Sequence, residues 1–371
     1  MRIMLVDPAS FTPPYDHGLA SALARRGLEV DLVTSPFAYD DPPAPDGYRR
    51  HELFLPLSSS LTRRFSRSPL RLPLKAVEYG PSVLRFRRRI ASTKPDLVHV
   101  QWLPRPSVDA RWVRKVAERR PTVLTAHDVV PRREGQLDAW LEILRSVERV
   151  VVHSSRAVER LAGLGIPRGR VVRIAHPIFE VSAEPLGQPE GTTLLFFGLL
   201  RGYKGLDVLV SALPDVLERV PDAKLVVAGD PFDPVEPVRE QAVRLGVDGA
   251  IDWRLRYVRD EEIAGLMAEA AAVVLPYREL DSSGVLATAI GYGRPAIVSD
   301  VGSLGETVAD YGAGLVVPPE DPEALAHACV RLLTQHGELR KAYEGTARAR
   351  ASLTWDEAAR AHEELYRGLV A

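Results

Sequence analysis

The 371-residue chain has a single cysteine, which excludes an internal disulfide. Cys329 sits in "EALAHACVRLL", a helical pattern that reads as a buried small hydrophobe, not a nucleophile. No run of 18 apolar residues occurs, so no membrane-spanning helix is expected. The opening "MRIMLVDPAS" has only a four-residue apolar run, too short for a secretory signal, and a cytoplasmic, non-spanning protein is expected. A formal net charge of -1 leaves no excess to attract nucleic acid. Histidines and cysteines show no metal-ligand spacing. Lysine is scarce, six against 42 arginines, which reads as codon bias and makes each retained lysine worth noticing.

What is present is a repeated rhythm. "RIMLVD", "EVDLVT", "DLVHVQW", "PTVLTAH" and "VERVVVH" are short, β-branched runs, apolar on both faces, of the kind found in buried parallel strands. Amphipathic segments such as "GLASALARRG" separate them, giving the alternation of a doubly wound sheet. The stretch 175–191, "AHPIFEVSAEPLGQPEG", has no periodicity and reads as a linker. Five more strand patterns follow: "TTLLFFG", "KLVVAGD", "AAVVLPY", "RPAIVSD" and "AGLVVPP". The length suits two domains, expected over 1–180 and 181–354, and the amphipathic helix 355–371 is expected to rejoin the first.

Two loops in the second half suit phosphate. In "FFGLLRGYKGLDVL", Gly198, Gly202 and Gly205 follow a strand and precede a helix, where backbone amides and the helix dipole favour an anion. The spacing fits neither G-x-x-x-x-G-K-[ST] nor G-x-G-x-x-G. Arg201 and Lys204 could clamp a diphosphate as a fork and a point charge, or could be solvated cations on a structural turn. In "PYRELDSSGVLATAIGYGRPAIVSD", Asp281, Ser282, Ser283 and Gly284 precede an apolar helical run, so amides from Ser283 to Val285 would open a helix N-terminus. Alternatively, Asp281 or a serine simply caps that helix.

Taken in order, "FFGLLRGYKGLDVLVSAL", "KLVVAGD", "VVLPY" and "SGVLATAIGYGRPAIVSDVGSLGE" resemble the nucleotide-sugar domain of the group 1 glycosyltransferases of family 4. "ALARRGLEVDLVT", "PDLVHVQW", "TAHD" and "WDEAARAHEELYRGL" extend the resemblance over essentially the whole chain. It implies an α/β GT-B fold of two facing Rossmann-like domains, and retaining transfer of a sugar from a UDP- or GDP-sugar donor to an unidentified acceptor. No cofactor is implied. By the same resemblance Arg201 and Lys204 match the basic pair on the donor diphosphate, Tyr257 and Val258 the loop that reads the base, and His127 a histidine near the donor sugar. Residues Ser10 to Gly18 match the first-domain loop across from the donor phosphates. The family usually carries two glutamates eight positions apart. Here Asp281 and Thr288 stand seven apart, and either can still hydrogen-bond a hydroxyl. No D-x-D triplet occurs, so a manganese-clamped donor site has no ligands and metal independence is expected. A non-catalytic sugar-nucleotide-binding protein and an epimerase of the same fold are the alternatives.

One charge run stands apart. From Arg49 to Ile90 there are eleven cations against Glu52 and Glu78, with Leu61, Phe65, Leu70 and Leu72 interleaved. It reads either as a solvated face or as a surface for anionic lipid or a phosphorylated acceptor.

Overall fold

The computed structural model describes residues 1–38, 41–65, 71–131, 135–179, 186–187, 189 and 191–370, with 71 and 72 as backbone only. The chain divides into two compact units, Met1–Ala175 with Trp355–Ala371, and His176–Thr354. Much of the expected linker falls outside the described residues.

The first unit is built on a parallel sheet of β1 (Arg2–Asp7), β2 (Glu29–Thr34), β3 (Arg49–Glu52), β4 (Leu97–Val100), β5 (Thr122–Thr125), β6 (Arg149–Val152) and β7 (Val171–Arg173). Their spatial order is β3-β2-β1-β4-β5-β6-β7. Both faces of its central strands are covered by helices, which is why the strand sequences are continuously apolar and not alternating. The terminal helix Trp355–Val370 belongs to this unit. It packs so closely on the helix Pro13–Arg25 that a Cβ at Gly18 would lie 2.4 Å from the Trp355 ring.

The second unit repeats the plan with β8 (Thr193–Phe197), β9 (Lys224–Ala228), β10 (Ile251–Arg254), β11 (Ala272–Leu275), β12 (Ala296–Ser299) and β13 (Gly314–Val317). These lie parallel in the order β10-β9-β8-β11-β12-β13. Cys329 is fully buried in its core, where burial pushes the thiol up to about 12.

Three strands go beyond the five expected in each half: β3, β7 and β10. All are edge strands with polar residues and partial exposure, so they lack the apolar signature of a buried strand. Side-chain pairing holds β3 in place. Buried Asp31 on β2 accepts from Arg49 Nε at 3.0 Å and bonds His51 Nε2 at 2.7 Å. Burial pushes the Asp31 carboxyl up, but these partners prevail and keep it below its usual value.

The basic stretch is less free than its composition suggests. Arg49 and Arg89 converge on Asp31, Arg63 pairs with Asp41 at 2.7 Å, and Arg50 donates to the Tyr48 hydroxyl. Arg67, Leu70 and the side chains of Arg71 and Leu72 lie outside the described residues.

In each sheet the chain order reverses between two neighbours, β1 and β4 in the first unit, β8 and β11 in the second. Loops leaving the carboxyl ends of such a pair diverge to opposite faces and open a crevice.

Candidate active site

In the second unit, that crevice lies between the loop after β8 and the loop after β11, and both phosphate motifs fall there. Gly198 leaves β8 at φ +100, and a Cβ built on it would meet Lys204 Nζ at 3.0 Å and Val285 Cγ2 at 3.1 Å. The lysine ammonium, a glycine backbone and the first turn of the helix Gly284–Gly291 therefore converge on one small space. Lys204 is buried, with Nζ 5.5 Å from the centre of the Tyr277 ring. Arg201, half-buried, stacks its guanidinium 3.8 Å from the Phe232 ring centroid. Among the described residues it has no ion pair.

The turn that carries these cations, Gly202–Lys204, is fixed from three directions. Asp233 accepts from the Gly202 amide at 2.8 Å. Arg278, three residues beyond β11, donates to the Gly202 carbonyl at 2.8 Å and to both oxygens of Asp207 at 2.9 and 2.6 Å. The Arg278 amide also bonds the Tyr203 carbonyl at 2.8 Å. Burial pushes Asp207 up, but hydrogen-bonded Arg278 outweighs it and holds the carboxyl below its usual value. Gly205 then turns at φ +68 with its Cα against the end of β11, and any Cβ there would sit 2.0 Å from the Pro276 carbonyl oxygen. Only glycine fits.

Ser283 is the N-cap, its hydroxyl accepting from the Leu286 amide at 3.3 Å. This leaves the amides of the following residues at the helix mouth, next to Lys204. Asp281 and Ser282 are half-buried just before it, and the Asp281 carbonyl accepts from Ser303 at 3.0 Å. The Thr288 hydroxyl donates to the Gly284 carbonyl at 2.9 Å, so its proton is spent within the helix and its lone pairs remain for a ligand. Tyr257, 38% exposed, and Val258 lie on the loop after β10, at the same edge of the sheet. The Glu262 carboxylate braces that loop by pairing with Arg256 and accepting from the Arg259 amide. Arg256 holds it down to about 2.

In the first unit, His127 lies two residues beyond β5 and is buried, contrary to the usual surface place of a histidine after a strand. Its ring stacks on Trp102 at 4.7 Å and meets Tyr15 edge-on at 4.7 Å. Nε2 bonds Gln101 at 3.3 Å, and Nδ1 bonds His153 Nε2 at 3.2 Å. His153 Nδ1 faces the Ile174 carbonyl at 2.9 Å and must donate to it. The Ser10 to Gly18 loop is organised by Asp7, whose carboxylate accepts from the amides of Ala9 at 3.0 Å and Phe11 at 2.6 Å. Burial pushes Asp16 well above the usual carboxyl range, and the neighbouring charge of Asp7 adds to it. Trp102 Nε1 donates to Thr12 at 2.9 Å and ties this loop to the one after β4.

Sequence reasoning missed Arg278, Asp207 and Asp233 in the second unit, and Gln101, His153 and Asp16 in the first. Arg278 and Asp207 stand within the two motifs, so a polar residue flanking each glycine turn was the available signal. The other residues had none.

A parallel sheet wound in this order defines a Rossmann-like protein, and the lysine, glycine turn and helix N-terminus gathered at its switch point have the chemistry that suits an anion. The comparisons then give the family. Residues 191–335 match the family "Glycosyl transferases group 1" and residues 17–178 match "Glycosyltransferase Family 4". The chain is 28% identical to the phosphatidyl-myo-inositol mannosyltransferase of Mycobacterium leprae, covering 92% of this chain and 90% of that protein. It is also 28% identical to the D-inositol 3-phosphate glycosyltransferase of Xylanimonas cellulosilytica, over 94% and 89%. Among solved structures, sucrose-phosphate synthase from Thermosynechococcus elongatus superposes with a TM-score of 0.73 at 22% identity, over 100% and 99% of the two chains. Anabaena HepE in complex with UDP-glucose superposes at 0.73 and 15% identity, over the whole of both chains. The chain belongs to the group 1 glycosyltransferases of family 4, with the GT-B fold, and is a nucleotide-sugar glycosyltransferase. Among the described residues, no helix is long and apolar enough to cross a membrane.

Proposed function

We propose that this glycosyltransferase transfers its sugar with retention of configuration and without a metal, binding the donor diphosphate between Lys204, Arg201 and the amides of Ser283 to Val285. The observation that carries this reading is the meeting of Lys204 Nζ, Gly198 and Val285 within about one atom's space. The leaving nucleoside diphosphate gains negative charge as the glycosidic bond breaks, and fixed cations and amides aimed at it lower the barrier. Its phosphate takes the acceptor proton, so no protein base is required. The lack of a D-x-D triplet supports metal independence. Asp281 and Thr288 take hydroxyls of the donor, and the loop at Tyr257 and Val258 its base.

The relatives' names point to inositol-type acceptors carrying phosphate, free or lipid-linked. The acceptor here is accordingly a phosphorylated polyol, met by the first unit in the cytoplasm or at the inner membrane face. Incubating the protein with UDP- and GDP-sugars and inositol phosphates, and measuring nucleoside diphosphate release, tests the reading. Acceptor-dependent release from one donor is expected. No release from any pair, with donors bound, would favour a sugar-nucleotide-binding protein.

A further inference from the structure

A pocket of about 360 Å³ in the first unit opens between the helices Arg71–Thr93 and Pro106–Ala117 and belongs to neither switch point. Residues at helical spacing form its walls: Ala76, Gly80, Val83 and Arg87 along one helix, Val108, Arg111 and Lys115 along the other. Gly80 has nothing within 4 Å of where a Cβ would stand, so the wall is open there.

The floor is aromatic and rigid. Tyr79 and Trp112 are both buried, and one carboxylate holds both. Fully buried Asp109 accepts from the Tyr79 hydroxyl, from Trp112 Nε1 at 2.9 Å and from the Arg105 amide at 2.8 Å. Its acceptors are thus spent on neutral donors. Phe86 packs edge-on against the Trp112 indole at 5.3 Å and fixes it further. The apolar part of the lining continues to the surface through Val108, exposed by 50%.

Four cations line this floor: Arg87, Arg105, Arg111 and Lys115. No lining residue is acidic, and among the described residues none of the four side chains forms an ion pair. Arg114, which does not line the pocket, pairs with Glu142 at 2.9 Å. Four like charges around one cavity repel one another and raise its affinity for an anion. Three guanidiniums and an ammonium from two helices suit the several oxygens of a phosphate better than the two of a carboxylate. The aromatic floor and apolar rim ask for a hydrocarbon part.

We infer that this pocket binds an organic phosphate, its anion held by Arg87, Arg105, Arg111 and Lys115 and its apolar group laid on Tyr79 and Trp112. Titration calorimetry with octyl phosphate below its micelle concentration tests this, with octyl glucoside as the uncharged control. Saturable one-to-one binding of octyl phosphate is expected, at least tenfold weaker in the Arg111→Ala/Lys115→Ala double variant and weakened by salt. Both residues are exposed on the helix surface, so the thermal midpoint should not move. A second variant, Val108→Glu, sets an acid among the cations and should weaken the same binding. Absence of saturable octyl phosphate binding, or equal binding by all three proteins, overturns the proposal. Flotation with phosphatidylcholine vesicles containing phosphatidic acid separates the sources. Vesicle binding lost together with octyl phosphate binding in the double variant assigns a lipid headgroup. Octyl phosphate binding lost without any change on vesicles assigns a soluble organic phosphate.

Discussion

The two units share a sheet plan yet differ in where their polar groups gather. The second unit places its functional charge on a turn at the sheet edge and braces that turn with Asp233, Arg278 and Asp207. The first buries its polar groups, with Asp7, Asp16, His99, His127, His153 and His362 all nearly inaccessible among Tyr15, Trp102 and Tyr366. The difference follows from what each has to hold. On the proposed reading the second unit holds a diphosphate, a group common to the donors considered, and meets it with backbone, glycine and fixed cations. The buried network of the first unit holds its own loops in shape, and its cost is sensitivity to protonation.

The sharpest way to break the comparison is at Lys204. Lys204→Ala should lower turnover by a hundredfold or more, about 3 kcal/mol in the barrier, while leaving thermal stability nearly unchanged. Initial rates and a thermal melt on the same preparation decide it. Equal losses in both would mean that the lysine serves the fold.

Acid should act on the first unit. Free histidine titrates near 6.5, and burial holds His362 down to about 4 and His99 well below its usual value. Between pH 6.5 and 4 the unfolded chain binds the protons that the folded chain refuses, so stability contributed by these rings is full above 6.5 and is lost as pH falls towards 4. For His362 the loss is about 3 kcal/mol at 1.36 kcal/mol per unit. Raised Asp16 acts in the opposite sense above pH 3.8, so the useful quantity is the difference between wild type and His362→Phe. Denaturant unfolding should show a shallower pH slope for the variant, and hydrogen exchange should place the change in the first unit. Identical slopes would refute the assignment.

Arg278→Ala should cost about tenfold in kcat/KM, roughly 1.4 kcal/mol, because the cations remain but their turn loses its brace. Arg278→Lys should recover only part, since a single ammonium cannot hold the Gly202 carbonyl and both Asp207 oxygens. The smallest effect is expected from Thr288→Val. Its hydroxyl already bonds the helix backbone, and donor affinity should weaken about threefold, roughly 0.6 kcal/mol.

How much could be read beforehand follows the same division. The central strands were legible because burial on both faces writes a continuous apolar run, as in "RIMLVD" and "KLVVA". β3, β7 and β10 were not, because an edge strand such as "RRHE" is stabilised by side-chain pairs to its neighbour that no local pattern records. Gly198, Gly205 and Lys204 were legible as a glycine turn carrying charge. Arg278 was not, since its role depends on a carbonyl 76 residues away. His127 was visible as a strand-end histidine, but its burial on Trp102 and His153 is a product of packing. The eleven-cation stretch adds what composition cannot record. Composition counts charges, and Asp31 and Asp41 neutralise several of them.

The central claim is that Lys204 and the turn beneath it hold the phosphates of the donor. Titration calorimetry of wild type and Lys204→Ala with UDP, GDP and their parent nucleosides tests it most directly. The account predicts that the nucleoside diphosphate preferred by wild type binds at least tenfold more weakly to the variant, with the corresponding nucleoside unaffected. Equal diphosphate affinity in the two proteins would contradict it.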